Sequence, residues 1–222
     1  MHVVVNAATS VDGKLSNRRR EQVRISGEED FARVHRVRAA NDAVLVGVGT
    51  VLADDPHLTV DDESLRANRR ADGRPPNPAR VVADSRGRTP TDARILDDAA
   101  ATYVLVSDAA PERRIDALES AGATVVVAGD ERVSLPEAFR SLESRGVASV
   151  MVEGGGEVIF SLFEAGMVDE LSVYVGSLVL GGRDAPTLAD GEGFTDDGTA
   201  LSLREVERLD DGVLLSYDVV RE

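Results

Sequence analysis

The residues best suited to chemistry sit where short apolar runs end in glycine. Val150-Met151-Val152 leads into Glu153-Gly154-Gly155-Gly156, and a helical pattern follows from Glu157 to Ala165, closed by Gly166. Glycines let a ligand approach the backbone, and the N–H groups and dipole at a helix start favour an anion. A dinucleotide diphosphate or a substrate phosphate fits there, and so does a plain tight turn between packed elements. The spacing is not Gly-x-Gly-x-x-Gly and comes late in the chain, so an ordinary Rossmann domain is not implied. Glu153 ends the apolar run at the place where open α/β sheets put their ligands. An ionised Glu only accepts hydrogen bonds, which suits a substrate's amino groups; the alternative is a carboxylate stabilised by the helix dipole.

A second glycine-bearing stretch, Gly47-Val48-Gly49-Thr50-Val51-Leu52-Ala53-Asp54-Asp55-Pro56, also follows an apolar run. Thr50 and Asp54 have the chemistry to bind ligand hydroxyls or to cap a short helical turn. Arg38 reads as a solvated helix charge and Lys14 as a turn residue after Asp12-Gly13. His2, His35 and His57 have no metal-ligand spacing, and with no cysteine present a metal site is not expected. No Gly-x-Ser-x-Gly elbow occurs, so an esterase-type nucleophile is not expected either.

Strands must position these residues. Residues 2–9 are apolar and β-branched; Ala43–Val46 is a wholly apolar run of the kind buried on both faces, Ser149–Val152 is again short and apolar, and Arg80–Asp84, Thr102–Val106 and Thr124–Val127 carry strand signals. Helical spacing predicts a helix after Ser26-Gly27-Glu28-Glu29, with Ser26 as N-cap and Glu29 reaching back, ending near Asn41. Further helices are expected over Pro111–Ala121 and Pro136–Ser144, whereas the charged, aperiodic stretch 61–79 reads as one surface loop. Glu170–Val175 is a strand, 181–200 a loop, and Leu201–Arg208 with Val213–Val220 an antiparallel pair around Asp210-Asp211-Gly212. The pattern is α/β: a mainly parallel sheet flanked by helices with an antiparallel C-terminal edge. With no repeat and no clear linker, residues 1–222 are expected to form a single domain.

Composition narrows the partners. The 222 residues carry a net charge of −15, which argues against nucleic acid, and no apolar run is long enough for a membrane helix. Met1-His2-Val3-Val4-Val5 lacks the basic flank of a signal peptide, so a cytoplasmic location is expected. Lys14 is the single lysine among 25 lysines and arginines, and such an acid-rich, lysine-poor chain resembles proteins of a concentrated-salt cytoplasm. From residue types alone, the chain is a nucleotide- or phosphate-binding α/β enzyme.

Along nearly its full length the sequence also resembles the diaminohydroxyphosphoribosylaminopyrimidine reductase family of riboflavin biosynthesis. The resemblance is carried by Asn6–Lys14, by residues 45–59, by Val152–Gly156, by Val168-Asp169-Glu170-Leu171, and by Gly181-Gly182 followed by Ala185-Pro186. It implies a dihydrofolate-reductase-like fold, NADPH as cofactor, a ribosylaminopyrimidine phosphate as substrate and a homodimer. It implies that Thr50, Asp54, Ser85 and the turn from Gly154, Gly155 and Gly156 into Glu157 and Val158 contact NADPH. Ser85-Arg86-Gly87-Arg88 follows a strand end, where the hydroxyl and the planar guanidinium forks suit the 2′-phosphate. Arg38, Leu58 and Glu153 match positions that contact substrate.

Bacterial members fuse this domain to a zinc deaminase, which this cysteine-free chain does not accommodate. It resembles the stand-alone archaeal and fungal type, which reduces the diamino compound. Two positions depart from the bacterial pattern: Asp61 replaces an arginine, for which Arg66, Arg69 or Arg70 are candidate substitutes, and Arg24 replaces an aromatic. Two other readings stay open at this point. One is a dihydrofolate-reductase-like enzyme acting on another pterin or pyrimidine; the other is a non-catalytic nucleotide-binding module.

Overall fold

A computed structural model describes residues 1–195 and 197–221. In chain order the first elements are β1 (His2–Ser10), α1 (Glu28–Ala40), β2 (Ala43–Gly47), α2 (Val48–Asp54), α3 (Glu63–Ala71), β3 (Ala79–Ala83), β4 (Thr102–Val106) and α4 (Glu112–Ser120). There follow β5 (Thr124–Val127), α5 (Leu135–Glu143), β6 (Ser149–Gly154), α6 (Gly156–Glu164), β7 (Glu170–Gly176), β8 (Leu201–Leu209) and β9 (Gly212–Val219). Two compact units result, one of Met1 and His35–Met151, the other of His2–Val34 and Val152–Glu222. The division falls within α1 and within β6.

In the first unit β2, β3, β4 and β5 are all parallel, with β2 on β3, β3 on β4 and β4 on β5. The apolar runs form strands because both faces are covered: all five residues of β2 are buried. Val44, Val46 and Val82 pack with Val48, Val51, Leu58 and Ile95 on one side, each such side chain contributing roughly 1.5–3 kcal/mol of burial. Arg80 lies fully buried on β3, and its charge is met by Asp97 Oδ1 at 2.7 Å, Thr102 Oγ1 at 3.0 Å and Ala100 O at 2.6 Å. A buried guanidinium survives only with this degree of pairing.

The stretch 61–79 is not a single loop. Asp62 accepts hydrogen bonds from Ser64 N (2.8 Å) and Leu65 N (3.2 Å), capping α3. Hydrophobic periodicity misses this helix because the residue it buries is an arginine. Arg69 is 2% exposed. It donates to Ala39 O (2.8 Å) and Asn41 O (2.7 Å) at the C-terminus of α1, where Arg74 adds a bond to Ala40 O. Cations are favoured there by the helix dipole. The glycine-bearing stretch after β2 is also helical, as α2, with Asp55 left-handed at its C-cap.

In the second unit β1 and β7 are parallel, while β9 is antiparallel to both β7 and β8. The expected α/β class, a mainly parallel sheet with an antiparallel C-terminal edge, is the class observed. The capping box of α1 is built differently from the sequence expectation. Gly27, not Ser26, accepts the first helical bond, from Phe31 N. Asp210, in the β8–β9 turn, accepts from Glu29 N (3.1 Å) and Asp30 N (3.0 Å), and Glu29 returns the bond by accepting from Asp210 N (3.2 Å). Gly27 is required because a Cβ there would overlap the Asp210 carboxylate. A cap supplied from 181 residues away leaves no local signal in sequence. The segment 181–200 forms no helix or strand among its described residues.

Candidate functional site

In the second unit, β6 delivers half-buried Glu153 to the start of the glycine turn. Gly154 has a φ of 146°, the Gly154–Gly155 peptide is cis, and Gly155 is the N-cap of α6 with no side chain capping the helix. The N-cap residue therefore supplies no side-chain acceptor, and its carbonyl receives Val158 N and Ile159 N. Gly156 is buried because the chain returns over it: Asp190 N donates to Gly156 O at 3.0 Å. A Cβ on Gly156 would overlap Thr187 O and come within 2.8 Å of Asp190 Oδ2. Glu157 is exposed and Val158 half-buried, and Val158 N donates to Gly155 O at 3.0 Å within the first turn.

Asp12 ties two of the sequence motifs together. Its carboxylate accepts from Ser10 Oγ (2.7 Å), Leu180 N (3.0 Å) and Gly181 N (2.7 Å). The Ser10 hydroxyl first, then the Leu180 and Gly181 amides, hold its pKa down to about 2. Leu15 N donates to Pro186 O, and Lys14 bridges to Thr187, so the Asp12-Gly13-Lys14 turn organises the 178–187 segment. That turn role agrees with the sequence reading of Lys14.

One residue of this unit was overlooked in sequence. Asn6 lies buried on β1, and its carboxamide oxygen has no hydrogen-bond partner. Buried polar atoms are normally satisfied, so Asn6 is a further candidate acceptor. Its sequence signals were a polar side chain inside an apolar strand and its place at the head of the Asn6–Lys14 segment.

In the first unit Thr50 and Asp54 both lie on α2, Thr50 half-buried and Asp54 exposed on the last turn. The protein around Asp54 displaces water and raises its pKa above the usual aspartate value, although the side chain keeps contact with solvent. Leu58 has a left-handed φ of 52° while its side chain is packed in the core beside Val46 and Ile95. A bulky residue held in that region is uncommon and marks a constrained backbone. Arg38 donates through Nη1 to Thr59 O at 2.8 Å, one residue beyond Leu58.

Beyond β3, Ser85–Arg88 forms a turn with Gly87 at φ 63°. Arg86 pairs with Glu131 at 2.9 Å, and Arg88 Nε lies 3.9 Å from Asp84 Oδ1. Gly87 is buried, whereas both arginines are exposed. Of the arginines considered as substitutes at Asp61, Arg69 is committed to backbone carbonyls. Arg66 and Arg70 both pair with Glu63, at 2.6 and 2.9 Å. Arg24 stands 5.9 Å from the Phe31 ring.

Among the described residues, no group of three or more His, Cys, Asp and Glu is placed to hold a metal ion. No described helix is long and apolar enough to cross a membrane. Each of two features by itself suits a phosphate: the glycine-lined start of α6, which has no N-cap side chain, and the glycine turn that carries exposed Arg86 and Arg88.

Comparison with known proteins agrees with this chemistry. A family model described as the RibD C-terminal domain matches residues 1–215. The chain is 49% identical over 211 residues to a protein of Archaeoglobus fulgidus named 2,5-diamino-6-ribosylamino-4(3H)-pyrimidinone 5′-phosphate reductase, covering 95% of this chain and 94% of the relative. A protein of Methanothermobacter thermautotrophicus with the same name is 42% identical over 221 residues, covering 98% of each. Among solved structures, a pyrimidine reductase-like protein from Corynebacterium diphtheriae superposes with a TM-score of 0.82 at 20% identity, covering 100% of this chain and 92% of that one. At that identity the likeness concerns the fold.

Proposed function

The chain belongs to the RibD C-terminal domain family and is a reductase of riboflavin biosynthesis; from that premise we propose its substrate, cofactor and site. The substrate is 2,5-diamino-6-ribosylamino-4(3H)-pyrimidinone 5′-phosphate, whose ribosyl group is reduced to a ribityl chain. NADPH, when bound, supplies the hydride. The observation that carries this reading is the turn Glu153–Gly156, a carboxylate beside a helix start with no side-chain cap, in a chain so similar to reductases of that name.

The turn of Gly154, Gly155 and Gly156 into Glu157 and Val158 receives the cofactor diphosphate against its backbone. Ser85, Arg86 and Arg88 receive the 2′-phosphate, with Gly87 shaping their turn, and Thr50 and Asp54 bind cofactor hydroxyls. Glu153 accepts hydrogen bonds from the pyrimidine amino groups or stabilises positive charge at the opened sugar nitrogen, and Asn6 offers a second acceptor. Arg38 carries the charge for the substrate phosphate. Because the Leu58 side chain is committed to the core, its contact with substrate runs through the backbone.

The whole chain acts as one reductase domain, in the cytoplasm, as a homodimer. The dimer reading is supported by β8, where Leu201, Leu203 and Val206 stand 39%, 55% and 58% exposed. They share a sheet face with Val219, Tyr217 and Leu215 of β9, an apolar face suited to a second copy. Light scattering should give twice the chain mass for the wild type and one chain mass for Leu203→Glu. The −15 charge supports adaptation to concentrated salt, which screens carboxylate repulsion; a melting temperature that does not rise with KCl sinks that part.

The test of function is to follow nicotinamide absorbance with the purified chain, NADPH and the ribosylaminopyrimidine phosphate. Oxidation that requires the sugar phosphate is expected. Oxidation supported equally by a pterin or a sugar-free pyrimidine would overturn the substrate assignment.

A further inference from the structure

Resting on the reading that Ser85–Arg88 receives a 2′-phosphate, we propose that Asp84 and Arg114 are positioning residues. They hold this turn in its binding form and so set the preference for a 2′-phosphorylated cofactor without touching it. The turn follows β3 with little regular structure of its own, and a loop that must be ordered on binding subtracts that cost from affinity. Here it is ordered beforehand from three sides.

From beneath, Asp84 Oδ2 accepts from Thr89 N (2.7 Å) and Thr89 Oγ1 (2.8 Å), and Gly87 N donates to Asp84 O at 3.0 Å. From α4, Arg114 donates Nε to Gly87 O and Nη2 to Thr89 O, each at 2.6 Å. From the end of β4, Ser107 N and Oγ both donate to Ser85 O, at 3.2 and 2.9 Å. The carbonyls of Ser85, Gly87 and Thr89 are therefore all engaged inward. The arginine side chains of Arg86 and Arg88 are left on the open side. Gly87 seats against α4, where a Cβ would lie 3.2 Å from Arg114 Cβ.

Asp84 is 0% exposed, yet its Oδ1 has no hydrogen-bond partner. A buried carboxylate oxygen without such a bond is costly and calls for a function. Arg88 Nε lies 3.9 Å from it. The buried charge thus faces an exposed guanidinium, and attraction at that distance biases Arg88 toward the turn. Asp84 orients one phosphate-binding arginine, and Arg114 fixes the backbone that carries both.

Calorimetry on the full chain separates this from simple bracing, with adenosine 2′,5′-bisphosphate and AMP as probes. The wild type should bind the bisphosphate about tenfold or more tighter than AMP. Arg114→Met should lose about tenfold for the bisphosphate and less than about twofold for AMP. Thr89→Val keeps the shape and the backbone bond but removes the hydroxyl bond to Asp84. It should lose about threefold for the bisphosphate alone, and it decides the matter if Arg114→Met does not fold. Folded variants that bind both probes like the wild type, or lose both equally, overturn the positioning role. A wild type that does not distinguish the probes removes the phosphate reading beneath it, an outcome visible before any variant is made.

Discussion

The Glu153–Gly156 turn and the Ser85–Thr89 turn are built on opposite principles. The first is shaped by what is missing: Gly156 has no side chain because the 187–190 segment occupies that space. The second is shaped by what other elements bring, with Arg114 from α4, Ser107 after β4 and Asp84 below all gripping its backbone. Close approach demands glycine locally, whereas bracing leaves the braced residues nearly unconstrained. The first turn therefore shows the cause of its shape in sequence, whereas the second shows its arginines and not the residues that brace them.

Glu153→Gln probes the chemistry of the first turn and carries the largest expected effect. Losing a charged hydrogen bond to substrate is worth roughly 2–4 kcal/mol, about 30- to 1000-fold in kcat/KM. NADPH affinity should stay near wild type, because the swap keeps the shape of the turn. Steady-state kinetics beside cofactor titration make the comparison, and normal turnover would reduce Glu153 to a helix-start carboxylate.

Gly156→Ala attacks the geometry of the same turn. Forcing a methyl against Thr187 O should cost about 1–3 kcal/mol of stability and weaken NADPH binding. An unchanged Tm with unchanged cofactor affinity would mean that the 187–190 segment moves aside freely. No comparable clash exists at Gly49 in the first unit, where a Cβ would meet nothing within 4 Å. Gly49→Ala is thus the natural control.

A smaller effect is expected outside both turns. Asp210→Ala removes the remote cap of α1 and should cost about 1 kcal/mol, or roughly 2–4 °C in Tm for a chain of this size. Calorimetric melting checks it. Asp12 gives the smallest effect, one confined to acid. Its folded pKa, about 2, lies below the ordinary 3.8. Its stabilisation is therefore present above pH 3.8 and lost as pH falls toward 2. Asp12→Asn should flatten the acid limb of the stability curve in that window; an identical limb would show that Asp12 does not matter there.

The sequence showed the parts whose causes are local. The runs Ala43–Val46 and Thr102–Val106 became strands because buried parallel strands need no polar alternation, and Thr124–Val127 extends the parallel pairing on β4 with Val127 left exposed. Pro136 and Gly166 marked helix ends through backbone restrictions of their own. What stayed hidden depended on partners far along the chain: Arg69 burying its charge against the end of α1, Asp210 replacing Ser26 as the cap, and Arg114 clamping Gly87. Asn6 belongs with these, since its unpaired oxygen becomes visible only when its surroundings are known. The candidate site was legible mainly through resemblance; spacing alone reached the glycine turn and Glu153, left Thr50 and Asp54 between ligand binding and local capping, and left Arg38 as a solvated helix charge.

The central claim is that a hydride passes from NADPH to the sugar carbon of a ribosylaminopyrimidine phosphate. NADPH deuterated at the transferable nicotinamide C4 position, incubated with the chain and that substrate, tests it most directly by mass spectrometry of the product. The account predicts a ribityl product carrying one deuterium at C1′ and none on the pyrimidine ring. Deuterium on the ring, or an unlabelled product formed while NADPH is consumed, would contradict it.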